Sequence, residues 1–225
     1  YNLSMHILNA RDFGVPQSRE RVFFIGVKKS FHTIELSSFD KFKTDAVSLK
    51  EAISHLGRAG SPTNPNVTKA KITLAAKPVL RKSPYAGMLF NGAGRPVRVD
   101  GYAPTLAASM GGNRTPIIDE DELYNNKENW IIKYHSDLMN GKKPSDKPTA
   151  PKRLRRLTVK EASLLQTFPP NYEFCGSQSS MYRQIGNAVP CKLGYNIAKM
   201  IMDYLFNEKL ENMVINLPHQ LEFEI

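Results

Sequence analysis

VPQSRERVFFIGV, residues 15 to 27, joins a turn to an apolar strand, and the rest of the chain is interpreted around it. Side chains two residues apart share one face of an extended backbone, so we expect Gln17, Arg19 and Arg21 to point the same way. Guanidinium groups pair with phosphate oxygens or with acceptor atoms on a base edge, so this pattern predicts a site for a flat anion. Two arginines on a solvated edge strand would look the same, and other parts of the chain must decide.

The composition describes a globular protein with excess positive charge. Of the 225 residues 41% are hydrophobic and 23% are charged, and 31 basic against 21 acidic side chains give a net charge of +10. No apolar run approaches the ~18 residues that a membrane span needs, and Tyr1 does not open a signal peptide. Cys175 and Cys191 form neither a disulfide framework nor a metal spacing, so we expect a cytoplasmic chain with no membrane contact and no metal.

Positive charge is concentrated between Lys142 and Lys160, where Asp146 is the only acidic residue. Counter-ion release makes such a segment an anchor for the phosphate backbone of nucleic acid, whatever the base sequence. A solvated linker that carries Lys for solubility explains the segment equally well when it is taken alone.

Local patterns predict a hairpin and several helices. Strands over about 2–9 and 21–27 are joined by a loop of about ten residues, which requires an antiparallel pair, and this pair needs a larger sheet to be stable. Capping boxes begin two helices, one that Gly57 ends and one that runs through Phe168 to Pro169. Two further helices are expected, one over 128–139 and a closing helix that begins with Pro190 and is apolar on one side to 205, before a weakly structured tail.

The stretch from Arg58 to about Pro151 is irregular, with short β-prone pieces at 71–75 and 115–118. Such a stretch is a small loop-rich domain or disorder, and its apolar and aromatic content favours the domain. Within it, PTLAASMGGNR at residues 104–114 combines small residues with paired glycines, which let a backbone approach a surface closely. A tight loop without function would have the same composition.

Three segments together resemble a known family. Residues 10–22, ARDFGVPQSRERV, resemble the eighth shared motif of DNA (cytosine-5) methyltransferases; RLTVKE at 156–161 with QTFP at 166–169 resembles the ninth, and QIGNAVP at 184–190 the tenth. Their order and the long gap before the ninth also match, and the segments at 105–106 and 111–113 are similar to the family's target recognition domain. Three motifs in family order are far more specific than any one of them.

The resemblance implies an α/β fold in three parts. Residues 1–30 would form an antiparallel hairpin of the C-terminal portion of a Rossmann-like methyltransferase sheet. Residues 31–151 would be an inserted target recognition domain, small, loop-rich and mostly β. Residues 152–225 would carry the ninth and tenth motifs and the closing helix that returns to the catalytic domain.

The reaction that the resemblance implies is methyl transfer from S-adenosylmethionine to C5 of a cytosine flipped out of double-stranded DNA. In this family a cysteine adds to C6 of the base, and the resulting enamine attacks the methyl group. By resemblance, Arg19 and Arg21 would hold the extruded nucleotide and stabilise charge on its ring carbonyl while Gln17 orients them. Residues Asn187, Ala188 and Val189 would line the cofactor pocket. The implied DNA-binding residues are Thr105, Leu106, Gly111, Gly112, Asn113, Arg114, Lys152, Arg153 and Arg155.

The family's cofactor loop, its Pro-Cys-Gln nucleophile motif and its Glu-Asn-Val motif lie upstream of the eighth motif and are not among these residues. Pro190-Cys191-Lys192 lies inside the tenth motif and lacks the following Gln, so we do not expect a nucleophile there. We therefore expect the chain to be inactive alone, either truncated or a natural split subunit, and to need the upstream methyltransferase half. Exposed apolar faces could also pair two copies into a dimer.

The alternative is a stand-alone DNA-binding specificity module without catalysis. It keeps the basic charge and the groove-reading loops and needs no nucleophile. Against it, the paired arginines and the Gly-Asn-Ala-Val turn resemble parts of a methyl-transfer site. The residues indicate neither the target DNA sequence nor whether a cognate restriction enzyme exists.

Overall fold

The computed structural model describes residues 1–89, 95–111, 114–144 and 149–211, with side chains described up to residue 206. Two antiparallel strand pairs and six helices are present in these residues, together with short 3-10 turns. The elements in chain order are β1 (Asn2–Asn9), β2 (Glu20–Val27), α1 (Leu49–Ile53), β3 (Ile117–Asp119), α2 (Glu120–Asn125), α3 (Trp130–Met139), β4 (Leu154–Arg156), α4 (Val159–Leu165), α5 (Gln178–Asn187) and α6 (Cys191–Glu211).

The predicted hairpin is confirmed. β1 and β2 pair antiparallel in a register that runs from Asn2 opposite Val27 to Asn9 opposite Glu20. One face of the hairpin packs, with the loop that follows β1, against the buried side of α6. The buried residues of this first core are Leu8, Ala10, Phe13, Val15, Ile34, Phe39, Leu193, Ile197 and Met200.

A second core joins α1, α4 and α5 to the β3–β4 pair and to the loop before β3. Its fully buried members include Ile53, Leu106, Ile118, Leu165 and Ile185. Two smaller buried clusters lie apart from this core in the middle of the chain, and one of them contains Ile131, Tyr134 and Leu138 of α3. The loop at Leu106 is therefore anchored in the same core as the helices of the last third.

Both predicted capping boxes are confirmed. The side chain of Ser48 accepts from the backbone N–H of Glu51, and that of Thr158 accepts from the N–H of Glu161. In each box the Glu carboxylate accepts in turn from the backbone N–H of the capping residue. α4 ends at Leu165 rather than continuing to Phe168, because Thr167 adopts a positive φ of 59°, which an α-helix cannot include.

The middle of the chain contains less strand than expected. Between residues 58 and 151 the described regular elements are the three-residue β3 and the helices α2 and α3, with isolated bridges such as Thr73 to Thr149. The β-prone pieces form only isolated β-bridges, so most of the described residues here lie in loops. The expectation of a mostly β unit is not met in the described part. Some of the predicted closing tail, beyond residue 211, lies outside the described residues.

α5 was not predicted from the sequence. Its ten residues, QSSMYRQIGN, are largely polar, and the turn expected at Gly186 is instead the last turn of this helix. Ser177 caps its N-terminus by accepting from the N–H of Ser180. Among the described helices, none is long and apolar enough to cross a membrane.

Candidate nucleic-acid interface

A buried hydrogen-bond network lies where the three motif segments meet, and Gln17 is at its centre. Its amide Nε2 donates to Gln166 Oε1 at 2.8 Å, and its Oε1 accepts from the N–H of Leu106 at 3.0 Å. Gln166 donates in turn to the carbonyls of Ile185 and Ala188 at 2.7 and 3.1 Å. Because both glutamines are fully buried, these bonds fix the turn before β2, the loop at 106 and the end of α5 relative to one another.

Arg19 reinforces the same junction. Its guanidinium is 5% exposed and donates to the carbonyl of Leu106 at 2.8 Å and to that of Gly186 at 3.1 Å. The last carbonyls of a helix have no helical partner, so a cation at the end of α5 is well placed. Burial, with a smaller contribution from the charge of Arg21, lowers the pKa of Arg19 to about 10. Arg19 therefore remains charged at neutral pH while bridging two segments.

Arg21 is the exposed member of the predicted triplet. β2 begins at Glu20, so Gln17 and Arg19 precede the strand, and both are buried in the junction. The Arg21 side chain donates to the carbonyl of Glu20 at 2.6 Å and otherwise faces solvent. The open site of one amide and two guanidiniums, expected from strand alternation, is therefore absent in this form. The catalytic role that the resemblance assigns to the three residues stays a prediction.

The loop expected to read DNA is partly core and partly surface. Thr105 is exposed, and its Oγ1 donates to the carbonyl of Ser18 at 3.0 Å. Leu106 is fully buried, so its side chain cannot reach a DNA groove, and the expectation for this residue is corrected to a core anchor. The backbone of Leu106 supplies both bonds that join the loop to Gln17 and Arg19.

The glycine-rich end of the loop packs close to α5. Gly111 has a φ of 113°, and a Cβ there would lie 3.3 Å from both Ser179 and Tyr182. Arg114 is exposed and donates to Ser109 Oγ at 3.0 Å. The predicted contacts of Gly112 and Asn113 fall outside the described residues.

Two open clefts flank this loop. One, of about 620 Å³, includes Ser18, Tyr102, Thr105 and three arginines in its lining: Arg95, Arg98 and Arg114. The other, of about 560 Å³, lies between residues 108–111 and one side of α5, and we call it the loop cleft. Both clefts are open to solvent and carry positive charge, which suits a polyanion.

Two arginines of the basic segment, Arg153 and Arg155, form ion pairs with acidic residues outside the segment. Arg155 Nε donates to Glu120 at 2.7 Å and its Nη2 to Glu161 at 2.7 Å, with only 11% of its side chain exposed. Desolvation by burial works against its charge, but bonds and charge from Glu161 and Glu120 raise the pKa of Arg155 overall. Arg155 is therefore a structural ion-pair residue, and its predicted phosphate contact is corrected.

Arg153 also forms ion pairs. Its Nη2 lies 2.9 Å from the buried Asp119 and its Nη1 3.0 Å from Asp121, and 29% of its side chain is exposed, so its phosphate contact stays a prediction. Lys152 is exposed, and within the described residues no ion pair involves it. Of the three basic residues predicted to bind DNA in this segment, Lys152 is the one that is exposed and forms no ion pair with another described residue.

The residues assigned to the cofactor lie at the end of α5. Asn187 is its last residue and is exposed, Ala188 follows with its carbonyl bonded to Gln166 and Arg19, and the Val189 side chain is 52% exposed. The assignment of these residues to a cofactor pocket stays a prediction. The backbone that presents them is fixed by the junction.

The two cysteines show no sign of a reactive thiolate. Cys191 opens α6, and burial raises the pKa of its thiol, which disfavours the nucleophilic form. Cys175 is exposed and unbonded to another cysteine. In the part of the chain that the structure describes, no cluster of metal-binding side chains occurs either.

Sequence reasoning missed Gln166 and the acidic partners of the arginines. Gln166 stood inside a recognised motif, but its burial depends on α4 ending one residue earlier. Asp119, Glu120 and Glu161 lie outside residues 142–160, so a count of charged residues over that segment leaves out their negative charges. A charge count extended by one residue would have included Glu161, whereas Asp119 and Glu120 lie more than 30 positions upstream and leave no local signal.

Comparison with known proteins identifies the family. A family model for C-5 cytosine-specific DNA methylases matches residues 1–203. Type II methyltransferase M.NgoPII of Neisseria gonorrhoeae is 30% identical over 221 residues, covering 89% of this chain and 55% of that protein. Type II methyltransferase M1.HphI of Haemophilus parahaemolyticus is 28% identical over 215 residues, covering 92% and 50%. The chain spans about half the length of the curated relatives it matches.

Solved structures agree on the fold. The Dnmt2 methyltransferase of S. pombe superposes with a TM-score of 0.59 at 16% identity, over 91% of this chain and 57% of that one. A prophage-encoded DNA modification methyltransferase from E. coli gives 0.54 at 21% identity, over 92% and 61%. From residue 1 to residue 203, the chain belongs to the C-5 cytosine-specific DNA methylase family.

Proposed function

We propose that this chain supplies DNA recognition and part of the active site for methylation of cytosine at C5 in duplex DNA. The observation that carries the proposal is the buried junction of Gln17, Arg19 and Gln166. It joins the hairpin, the loop beside the clefts and the proposed cofactor segment at a single point. A DNA reader without chemistry has no need to hold a cofactor segment against its reading loop, so the stand-alone module is not favoured.

In this function Arg21 contacts the flipped cytosine nucleotide, because it is exposed and close enough to Arg19 for its charge to lower the pKa of that buried guanidinium. Arg19 and Gln17 act through backbone bonds, by holding Thr105 and Arg114 toward the DNA. Arg21 stabilises negative charge that develops on the ring carbonyl when the base is attacked. Lys152 adds a phosphate contact that carries no sequence information.

S-adenosylmethionine is the methyl donor in this proposal, with its sulfonium methyl as the group transferred. Asn187 would hydrogen-bond its polar end, and Val189 would cover an apolar part. The bonds from Gln166 and Arg19 to Ala188 hold this segment in place. Keeping the segment rigid lowers the entropy lost on binding.

The partner is the upstream methyltransferase half, which carries the nucleophile motif. One face of the hairpin is apolar and exposed, with Met5 at 62% and Phe24 at 66% directly opposite each other. The other large exposed side chains on this face are Tyr1, Leu3, Ile7 and Val22. A patch of this kind marks an interaction surface, and the missing part of the methyltransferase sheet would cover it. The relatives named above suggest a modification enzyme of the restriction–modification type acting in the cytosol.

The test is methyl incorporation into duplex DNA. We expect the 225-residue chain alone to transfer no methyl group above a boiled control, because no residue of the nucleophile motif is among its residues. Addition of a polypeptide with the upstream motifs should restore transfer from labelled S-adenosylmethionine. Transfer by the chain alone, or a complex that binds DNA and cofactor without any transfer, would contradict the proposal.

A further inference from the structure

The loop cleft has a polar wall formed by side chains of α5. Of these side chains, only that of Asn187 has been given a role so far. Ser179, Arg183 and Asn187 line it from α5 at spacing four, so the three side chains share one side of the helix. The opposite wall is formed by residues 108–111, including Ser109 and Gly111. A hydroxyl, a guanidinium and an amide thus face the loop across an open cleft of about 560 Å³.

Close backbone contacts set the width of this cleft. A Cβ at Gly186 would lie well under 3.0 Å from the carbonyl of Ala107, so α5 and the loop touch at the base of the cleft. Arg19 holds the same two segments by donating to Leu106 and Gly186. The cleft is therefore formed before any ligand arrives, which favours binding without a cost for ordering its walls.

The charge of the cleft is positive and uncompensated. Arg183 is exposed, and among the described residues it forms no ion pair, while the cleft lining contains no acidic side chain. Ser109 and Ser179 are exposed and can donate hydroxyl hydrogen bonds, and Arg114 is bonded to Ser109. Donors around one free guanidinium form a site for a tetrahedral anion, and the shallow open shape admits one that belongs to a polymer.

We propose that the loop cleft binds a phosphodiester of the DNA backbone, with Arg183 as the charged donor and Ser179 and Ser109 as hydroxyl donors. The inference rests on the proposed function, because it assumes that the loop lies against DNA. It adds a contact from α5, which would place the helix that carries the cofactor segment directly on the substrate backbone. Duplex binding and the position of Asn187 would then be physically linked.

The experiment measures duplex affinity of the full chain across salt, by fluorescence anisotropy, for the wild type and for Arg183→Gln. Loss of one phosphate contact should flatten the salt slope by about one unit of log K per log salt and weaken binding about eightfold at 0.1 M salt. Arg183→Lys should restore most of the slope. Lys133→Gln, which removes another exposed positive charge, on α3, is the matched control and should leave the slope unchanged.

A second measurement locates the contact on the DNA. In a series of duplexes with single neutral methylphosphonates, one position should weaken the wild type and have no effect on Arg183→Gln, since neutralising either partner removes the same interaction. Equal slopes for wild type and Arg183→Gln, or losses that add at every position, would overturn the inference. Weaker S-adenosylmethionine binding by the variant in the complex, with an unchanged duplex slope, would assign the cleft to the cofactor instead. If the wild type shows no duplex binding at all, the proposed function fails together with the inference.

Discussion

At the scale of single residues, burial separates Arg21 from Gln17 and Arg19. In the complex with the upstream half, Arg21→Ala should abolish turnover while leaving duplex affinity mostly intact. The reason is that Arg21 is the exposed cation of the predicted triplet, whereas the junction bonds and the other proposed phosphate contacts remain. Methyl incorporation and anisotropy on the same preparation measure both quantities.

Arg11→Ala is the matched control, because Arg11 is an exposed arginine of the same segment that pairs with Asp12. It should lower neither turnover nor affinity appreciably. Normal turnover by the Arg21 variant would show that the motif does not contact the reacting nucleotide.

Arg155 is predicted to contribute to stability instead of to DNA binding. Arg155→Met should lower the free energy of unfolding by about 3 kcal/mol, because it leaves the fully buried carboxylate of Glu161 without its cation. Urea denaturation checks this. Lys152→Met should behave in the opposite way, with unchanged stability and a flatter salt slope. A flatter slope for the Arg155 variant at unchanged stability would restore the original assignment.

The residues that sequence analysis placed correctly are those whose environment is local. Ser48 and Thr158 were identified as helix caps because the bonding partner lies three residues away. The ion pairs of Arg153 and Arg155 were not anticipated because their acidic partners include residues 119 to 121, more than 30 positions upstream. The burial of Leu106 could not be predicted either, because the sequence of a loop of small residues does not indicate whether Thr105 or Leu106 packs into the core.

At the scale of elements, α5 and α2 are helices that sequence analysis missed, and α5 is the one that lines the loop cleft. Its composition is polar because its exposed side lines the loop cleft, while Tyr182 and Ile185 alone provide large buried side chains. A short apolar side gives little periodicity, and Gly186 near its end resembles a turn signal. The same glycine is needed in the helix, since the backbone of Ala107 passes directly above it.

Gly186→Ala should therefore destabilise the chain and disturb the loop. The added methyl group meets the carbonyl of Ala107, and backbone cannot move aside as a flexible side chain can, so we expect a loss of about 2 kcal/mol or more in unfolding free energy. Gly194→Ala in α6 is the control. A Cβ there has nothing within 4 Å, and helix propensity predicts a gain of up to about 1 kcal/mol. Thermal unfolding measures the stability of both variants. A similar change in stability for the two would show that the Ala107 backbone does not approach Gly186 closely.

At the scale of the whole molecule, the chain is organised by contacts between its beginning and its last third. Gln17 and Gln166 are 149 residues apart in sequence, and their side chains are joined by a hydrogen bond. In the first core, α6 packs against the hairpin. Family motifs indicated which segments matter, while only the three-dimensional arrangement shows that they share one buried junction. Long-range bonds of this kind leave no periodic signal in a sequence.

The last prediction concerns the exposed apolar face of the hairpin. Met5 and Phe24 face each other across the two strands, so the double variant Met5→Lys with Phe24→Lys places two like charges in the middle of this face. If the face is where the upstream half binds, the variant should lose complex formation and methyl transfer. It should also reduce self-association of the chain alone, since desolvating the lysines opposes burial. Sedimentation velocity measures both associations.

Val79→Lys is the control for this experiment, because Val79 is a similarly exposed apolar residue, at 54%, in the irregular middle of the chain. It should leave complex formation unchanged. The inner face of the hairpin, where Phe23 and Ile25 pack on the first core, is untouched in all variants, so the far-ultraviolet circular dichroism should not change. Complex formation by the double variant at wild-type affinity would place the upstream half elsewhere and leave the apolar face to a contact between two copies of the chain.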